Sequence, residues 1–315
     1  MAAEIIKLDY QNQLLVLDRL TIVAPLGVRF QDAVTGDVIG DGLAVAAYPI
    51  NQPQARQSLF PNRRGVYVLR HGSGLQDVEQ GAGDADYWNS LPAKKDFVIE
   101  VRDLQSRFVP FQFVAGLPVE WNQDVSPPPA IKSVPLYSAI TRSVTSGLAA
   151  ISADLWDPTR GESGAAAASA MLELYDNGQT VARGIADESG KIALLFPYPS
   201  PRSFAVASPP GSPLSSPPVA TTPALTDQVW NFSVRAFYSA GLQSPPNQSS
   251  EDSLPDLDAV LAQPEALLWS DEARTEELQE VAVRFGEPLT LKSTSSSMSP
   301  PQTKGGSMLF ITPAV

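Results

Sequence analysis

His71 is the one histidine in the chain and there is no cysteine, so few side chains are available for acid–base, nucleophilic or metal chemistry. A hydrolytic triad needs a serine, a histidine and a carboxylate brought together from separate elements, with the serine raised on a sharp turn. Ser73 and Asp77 stand beside His71 in one glycine-rich stretch, and no G-x-S-x-G elbow occurs. Carboxylate pairs that cleave glycosides stand about 5–9 Å apart across a cleft. Asp84 and Asp86, Asp187 and Glu188, and Glu251 and Asp252 are instead neighbours in turn-like sequence, where solvated acids are ordinary. Zinc is excluded by the shortage of imidazole and thiolate ligands. Calcium accepts oxygens alone, and Asp84, Asp86 and the carbonyls of Gly81–Gly83 form the one group that offers them, without the full D-x-[DN]-x-[DN]-G loop. Lys304-Gly305-Gly306-Ser307 ends like a phosphate-binding loop but lacks its G-x-x-x-x-G-K spacing and reads as a turn, as does Gly40-Asp41-Gly42. The chemistry-bearing residues thus assign no catalytic, cofactor or metal site, and the chain reads as a non-enzyme.

Contact is the remaining use for the conspicuous side chains. Of the five tryptophans, Trp230 falls on the apolar side of an alternating strand, and Trp156 lies at the end of another. Trp88 sits in the glycine-rich stretch 71–96, while Trp121 and Trp269 border linker-like sequence. Leu257 and Leu261 share one stripe of a helical pattern next to Trp269. Trp88, Trp121, Leu257, Leu261 and Trp269 are therefore the candidate partner contacts. Aromatic rings in such places cover a protein partner or stack on a sugar ring.

The elements that would carry them read as strands. Val28 and Phe30 alternate with polar neighbours, Leu43–Tyr48 and Val66–Leu69 are short β-rich runs, and turns are marked at Thr35-Gly36-Asp37 and Gly40-Asp41-Gly42. Phe97, Ile99 and Val101 share one face, opposite Val98, Glu100 and Arg102, and Val109, Phe111 and Phe113 alternate after them. Pro110 makes the second of these an edge or bulged strand. Further on come Val134–Ile140, Leu148–Trp156, Met171–Tyr175, Gln179–Ile185 and Ile192–Phe196, with turns at Asp157–Gly161, Asp176-Asn177-Gly178 and Asp187–Gly190. The run Ala165–Ala170 fits helix or strand. Trp230, Phe232, Val234, Ala236 and Tyr238 occupy one face of a long strand, and Val281–Phe285 and Met308–Ile311 are the last candidates. Leu254–Leu268 is the one plausible helix, capped by Asp256 and interrupted by Pro264.

Length and composition bound the rest. The 315 residues suit two domains, and 43% hydrophobic content is enough for a core in each. The expected layout is an arm or leading strand over 1–20, a first β-sandwich over 21–124, a Pro-rich linker over 125–133, and a second sandwich over 134–315 with insertions at 197–227 and 243–270. A net charge of −12 argues against nucleic acid, whose binders replace phosphate counterions with positive charge, and against an anionic membrane. No apolar run is long enough for a membrane helix, so no direct membrane insertion is expected. MAAEIIKLDYQNQ does not resemble a signal peptide, so the expected location is cytoplasmic, within a macromolecular assembly. The triplets Asn231-Phe232-Ser233 and Asn247-Gln248-Ser249 are read as chance.

The halves echo each other: Val28–Gly36 parallels Ser152–Gly161, each running from strand through aspartate to a glycine turn. Met171–Gly178 followed by Val181–Ile192 resembles the strand, D-x-G turn and T-D-x-x-G-x-aromatic pattern of transthyretin-like and carboxypeptidase-regulatory-like sandwiches. Ala186 stands where that family has threonine, and Ile192 where it has an aromatic residue. The resemblance spans about 25 of the residues and implies non-catalytic spacer, adhesion or assembly modules. In organisation the chain is also similar to baseplate accessory components of phage-tail-like contractile injection systems. The expectation is an all-β chain of two transthyretin-like or immunoglobulin-like sandwiches with long Pro/Ser-rich loops and one short helix. Its expected role is a structural component bound to other protein subunits, with a carbohydrate- or protein-binding adhesion module as the alternative and a carboxylate-pair enzyme as a remote third.

Overall fold

The computed structural model describes residues 24–76, 94–117, 131–201, 204–205, 220–221, 224–241, 254–293 and 308–314. Trp88, Trp121, Asp77, the Asp84–Asp86 oxygen group, Glu251, Asp252, residues 125–130 of the Pro-rich linker and Lys304–Ser307 lie outside these residues. The described residues are all-β with one short α-helix, on two large curled sheets and one two-stranded ribbon. The chain divides into two compact units. The first holds Met1–Ser106, Pro110–Leu136 and Ser244–Asp258, and the second Arg107–Val109, Tyr137–Gln243 and Ala259–Val315.

The first unit comprises β1 (Leu26–Asp32), β2 (Leu43–Pro49), β3 (Gln57–Pro61), β4 (Val66–Leu69), β5 (Lys95–Asp103), β6 (Phe111–Leu117) and β7 (Ile131–Leu136), in the order β6-β5-β2-β3-β4-β1-β7. β3 pairs with β2 through Gln57–Leu59 and with β4 through Phe60–Pro61. It is the corner at which the sheet folds over to bury its own apolar face. Leu26, Val28 and Phe30 alternate into that core, where the Phe30 ring meets Tyr67 edge-on at 5.3 Å. On β5 the alternation is incomplete, because Val98 is buried along with Phe97 and Ile99. Its cross-strand partner is Tyr48, whose hydroxyl donates to Glu100 at 2.9 Å while Arg56 closes over the same carboxylate at 2.6 Å. β6 is the terminal strand, as Pro110 requires. Its outer side is covered where the Gln112 amide donates to the Pro255 carbonyl at 2.9 Å and the Gln112 side chain donates to the Leu254 carbonyl at 2.6 Å. Covering a strand edge this way removes a template for unwanted pairing.

The second unit carries β8 (Leu148–Asp157), β9 (Ala165–Ala166), β10 (Met171–Asp176), β11 (Gln179–Ile185), β12 (Lys191–Pro197), the two-residue strands β13 (Phe204–Ala205) and β14 (Ala220–Thr221), β15 (Val229–Phe237), β16 (Glu265–Trp269), β17 (Glu280–Arg284), β18 (Leu289–Thr290) and β19 (Met308–Pro313). The helix α1 (Leu257–Leu261) falls between β15 and β16 in the chain. The main path is β11-β10-β15-β16-β19-β8-β12; β17 pairs with β15, β18 and β9 pair with β8, and β13 pairs only with β14. The sheet curls until its end strands meet: a Cβ on Gly184 of β11 would lie 2.7 Å from the Ala193 carbonyl oxygen of β12. The β10–β11 hairpin turns through Asn177 and Gly178 at φ +51° and +79°, the type I′ geometry that matches strand twist. β15 alternates cleanly, and Trp230, Phe232, Val234, Ala236 and Tyr238 are all buried.

The internal echo has a structural counterpart. In each unit the first strand runs parallel to the last, β1 with β7 and β8 with β19. Each first strand ends in a buried aspartate that organises the turn beyond it. Asp32 accepts the Val34 amide at 2.9 Å, and Asp157 accepts the Thr159 amide at 2.8 Å and its hydroxyl at 2.6 Å.

One local expectation is corrected. The Leu254–Leu268 segment is helical only over Leu257–Leu261, with Asp256 accepting the Asp258 amide at 3.0 Å as its cap. Pro264 lacks the N–H that a helix needs, and the chain instead enters β16, where Ala266 and Leu268 alternate into the core. The ambiguous alanine run forms the two-residue β9 and then a turn that buries Ala167 and Ala170.

Gly190 has φ +80°, and a Cβ there would lie 2.4 Å from the Leu155 carbonyl oxygen. Gly190→Ala should destabilise the protein by about 3 kcal/mol, read by chemical denaturation. Tyr238, wholly buried, has its phenol pushed up to about 12 from the ordinary 10.0, first by burial and then by the Asp157 carboxylate beside it. The folded state holds that proton more tightly than the unfolded chain, so this contribution to stability is intact below pH 10.0 and is lost as pH rises towards about 12. Absorbance titration should show a phenol ionising near that upper value, and Tyr238→Phe should remove it.

Candidate functional site

An open groove of about 600 Å³ lies in the second unit, lined by Leu267, Trp269, Ala273, Arg274, Thr312 and Pro313, among others. Strand parity builds its wall. Ala266 and Leu268 of β16 point into the core, so Leu267 and Trp269 stand half-buried on the other side. β19 lies alongside, with Thr312 opposite Leu267 and Phe310 opposite Trp269. The indole N–H of Trp269 donates to the Thr312 hydroxyl at 3.0 Å, which fixes the ring orientation.

The loop after β16 closes one side of the groove and is braced by its own polar groups. The Ser270 amide donates to the Glu276 carbonyl at 3.0 Å. Asp271 accepts the Thr275 amide at 2.9 Å, its hydroxyl at 2.6 Å and the Glu276 amide at 3.0 Å. The Thr275 hydroxyl first, and then the Glu276 amide, hold the Asp271 carboxyl below its ordinary range. Arg274 takes a left-handed φ of +57° within this loop. Arg274 is the charged residue among those that line the groove, and Glu277 forms an antiparallel bridge with Trp269 at its side. A smaller cavity of about 170 Å³ adjoins, lined by Arg235, Glu265, Glu277 and Leu278 among others, and it shares Leu267 and Ala314 with the groove. An apolar floor, one oriented indole and a charged rim equip the site to bind. Among the described residues that line it, no general acid and base face each other across it.

Of the residues singled out in the sequence, Trp269 lines this groove. Leu261 is half-buried, and Leu257 is 3% exposed, so its surface is taken up by the protein itself. Trp230 is core and Trp156 half-buried. His71 is exposed at φ +57°, its carbonyl accepting the Gln57 side-chain amide at 3.0 Å, and Ser73 is half-buried. Asp187 is occupied in its turn, accepting the Ser189 amide at 2.9 Å and the Lys191 amide at 3.0 Å, beside an exposed Glu188. Among the described residues no group of three or more His, Cys, Asp or Glu side chains is placed to hold a metal ion.

One polar cluster escapes a linear reading of the sequence. Glu173, buried in the middle of β10, is paired with Arg183 and accepts the Tyr175 hydroxyl. Arg235 stands directly across from Glu173 on β15, lies 4.8 Å over the Tyr175 ring and reaches Glu265 at 4.0 Å. The available signal is a lone acid among apolar residues in Met171–Tyr175. Its partners come from other strands, which only register reveals.

No protein-family model and no curated protein matches the chain. Among solved structures it is similar to the TIE protein of Bacillus anthracis, at 10% identity and a TM-score of 0.22, over 86% of this chain and 45% of that one. The chain therefore spans about half the length of that protein. It is also similar to GBS52, the minor pilin of Streptococcus agalactiae, at 9% identity and a TM-score of 0.19, over 88% of this chain and 100% of that one. The cytoplasmic location and the baseplate, phage tail-like and contractile-injection-system description expected from the sequence are corrected by this finding: the similarity runs to a minor pilin and the TIE protein.

Because the Asp271 carboxyl sits below its ordinary range in the folded loop, its bracing is complete above that range and is lost as pH falls through the lowered value. Protection factors of the Thr275 and Glu276 amides, taken against the intrinsic exchange rate at each pH, should be high at neutral pH and fall in acid. Asp271→Ala should show the low protection already at neutral pH, with the protection of β15 amides unchanged.

Proposed function

We propose that this chain is a non-catalytic structural or adhesive subunit that works by surface contact within a protein assembly. The observation that carries this reading is the Trp269 groove, an open cleft with an oriented aromatic wall and a braced charged rim. Such a feature suits a surface that meets another surface better than one that encloses and transforms a small molecule. The net charge of −12 directs the choice of partner towards protein and away from nucleic acid. Among the described residues no helix is long and apolar enough to cross a membrane.

The adhesive form of this reading draws on the same indole, since a fixed, half-exposed ring next to polar groups is the usual platform for a partner's apolar side chain or sugar face. Cross-linking in the native cells, followed by purification and mass spectrometry, tests it. The chain should be recovered in a fixed stoichiometric ratio with other polypeptides, and Trp269→Ala should lower that recovery while the variant keeps the β-sheet circular dichroism of the wild type. Recovery of the chain as an unlinked monomer, with the Trp269 variant behaving identically, would overturn the reading.

A further inference from the structure

Resting on the reading of the chain as an assembly subunit, we infer that β17 is a self-pairing edge: the β17 strands of two copies add to each other antiparallel about Ala282, across a two-fold axis. Among the described residues β17 pairs with β15 and with no other strand. The ladder tells which of its backbone groups are left over. The Val234 amide donates to the Gln279 carbonyl at 2.8 Å, and the Phe285 amide donates to the Gln228 carbonyl at 3.4 Å. The odd-numbered residues of this stretch therefore turn their N–H and C=O groups towards β15, and Glu280, Ala282 and Arg284 turn theirs to the other side. The Tyr198 hydroxyl meets that side at its far end, donating to the Arg284 carbonyl at 3.4 Å and accepting the Gly286 amide at 2.9 Å. A row of backbone groups left over in this way is a template for another strand.

The strand's own sequence selects the partner. Glu280-Val281-Ala282-Val283-Arg284 buries its two valines and exposes the other three residues on one face. Neither Glu280 nor Arg284 has an ion-pair partner among the described residues. An antiparallel copy centred on Ala282 sets Glu280 opposite Arg284 of the second copy, and Arg284 opposite its Glu280. Opposite charges directly across a strand pair stabilise it, and like charges oppose it. A parallel copy in register would set like charges side by side, and a two-residue slip would lose both ion pairs. In the centred register Ala282 exchanges both backbone bonds with its counterpart, and each Arg284 amide donates to the opposite Glu280 carbonyl. The contact uses the same patch on both copies, so it closes at two. It is short and therefore weak by itself, which suits one joint among several in an assembly.

Sedimentation velocity of the full chain at low salt, over a wide concentration range, tests this. The wild-type chain should pass reversibly from monomer to dimer as concentration rises. Glu280→Arg and, separately, Arg284→Glu place like charges across the axis and should each weaken dimerisation roughly tenfold. Mixed in equal amounts, the two variants should associate as wild type does, because both cross-strand contacts of the mixed pair again join opposite charges. Ala282→Pro removes the central N–H, which faces away from β15, and should abolish the dimer. The charge variants alter exposed side chains alone, so they decide the matter should the proline variant fail to fold. In the wild type the Ala282 amide should gain protection from hydrogen exchange with concentration, while the Val281 amide, on the β15 side, stays unchanged. A chain that stays monomeric throughout, charge variants that dimerise like wild type, or a mixture that associates no better than its components would each overturn the inference. A monomeric chain still recovered with other polypeptides in the cross-linking experiment would overturn this contact alone and leave the subunit reading standing.

Discussion

Five side chains that alternate from Trp230 on β15 to Tyr238 just beyond it enter one core, and β10, β16 and β17 all pair with that strand. Period-two geometry makes this an all-or-nothing constraint. A one-residue slip would send every one of these side chains to the solvent face and bring Asn231, Ser233 and Arg235 inward. The rest of the unit follows from it. Phe196 meets Phe232 edge-on at 5.1 Å, and Tyr198 packs between Trp230 and Phe285 at 5.5 and 4.7 Å. β16 can place Trp269 on the outer side only because β15, in register with Ala266, has fixed which residues of β16 face the core.

Both units use the same polar device. Glu100 is held by the Tyr48 hydroxyl and Arg56, and Glu173 by the Tyr175 hydroxyl and Arg183. A carboxylate withdrawn from water is costly unless it is paired and hydrogen-bonded, and in each case both conditions are met by residues close by on the sheet or its loops. Such a cluster penalises alternative pairings, because a shifted register would leave the carboxylate without its partners.

The functional reading rests on the same commitment of charge. Acids that could be mistaken for catalytic groups, Asp32, Asp157, Asp187 and Asp271, each direct their oxygens to the amides of their own turns. The second unit presents an open groove with an oriented indole and one arginine, Arg274, in its lining. That groove supports the contact role proposed for the chain.

By itself the sequence determined the fold class, most strand positions and the turns. These depend on local rules that a linear reading can apply: alternation along a strand, the missing N–H of proline, the left-handed φ of Asn-Gly, and the aspartates that open turns. It also supplied Trp269 as a candidate contact, because an indole beside a proline-interrupted segment has no obvious core to enter. Tertiary structure decided the segment after Pro264. The spacing of Ala266, Leu267 and Leu268 suits helix or strand until neighbouring strands offer unpaired backbone groups, and pairing with both β15 and β19 settles it as strand. Tertiary structure likewise brought Arg183 and Arg235 to either side of Glu173, on the two strands that flank β10, and set the acidic loop 271–277 beside Trp269. Cross-strand register and the curl of a sheet are properties of residues far apart in the chain, and local propensity carries no information about which of them will meet.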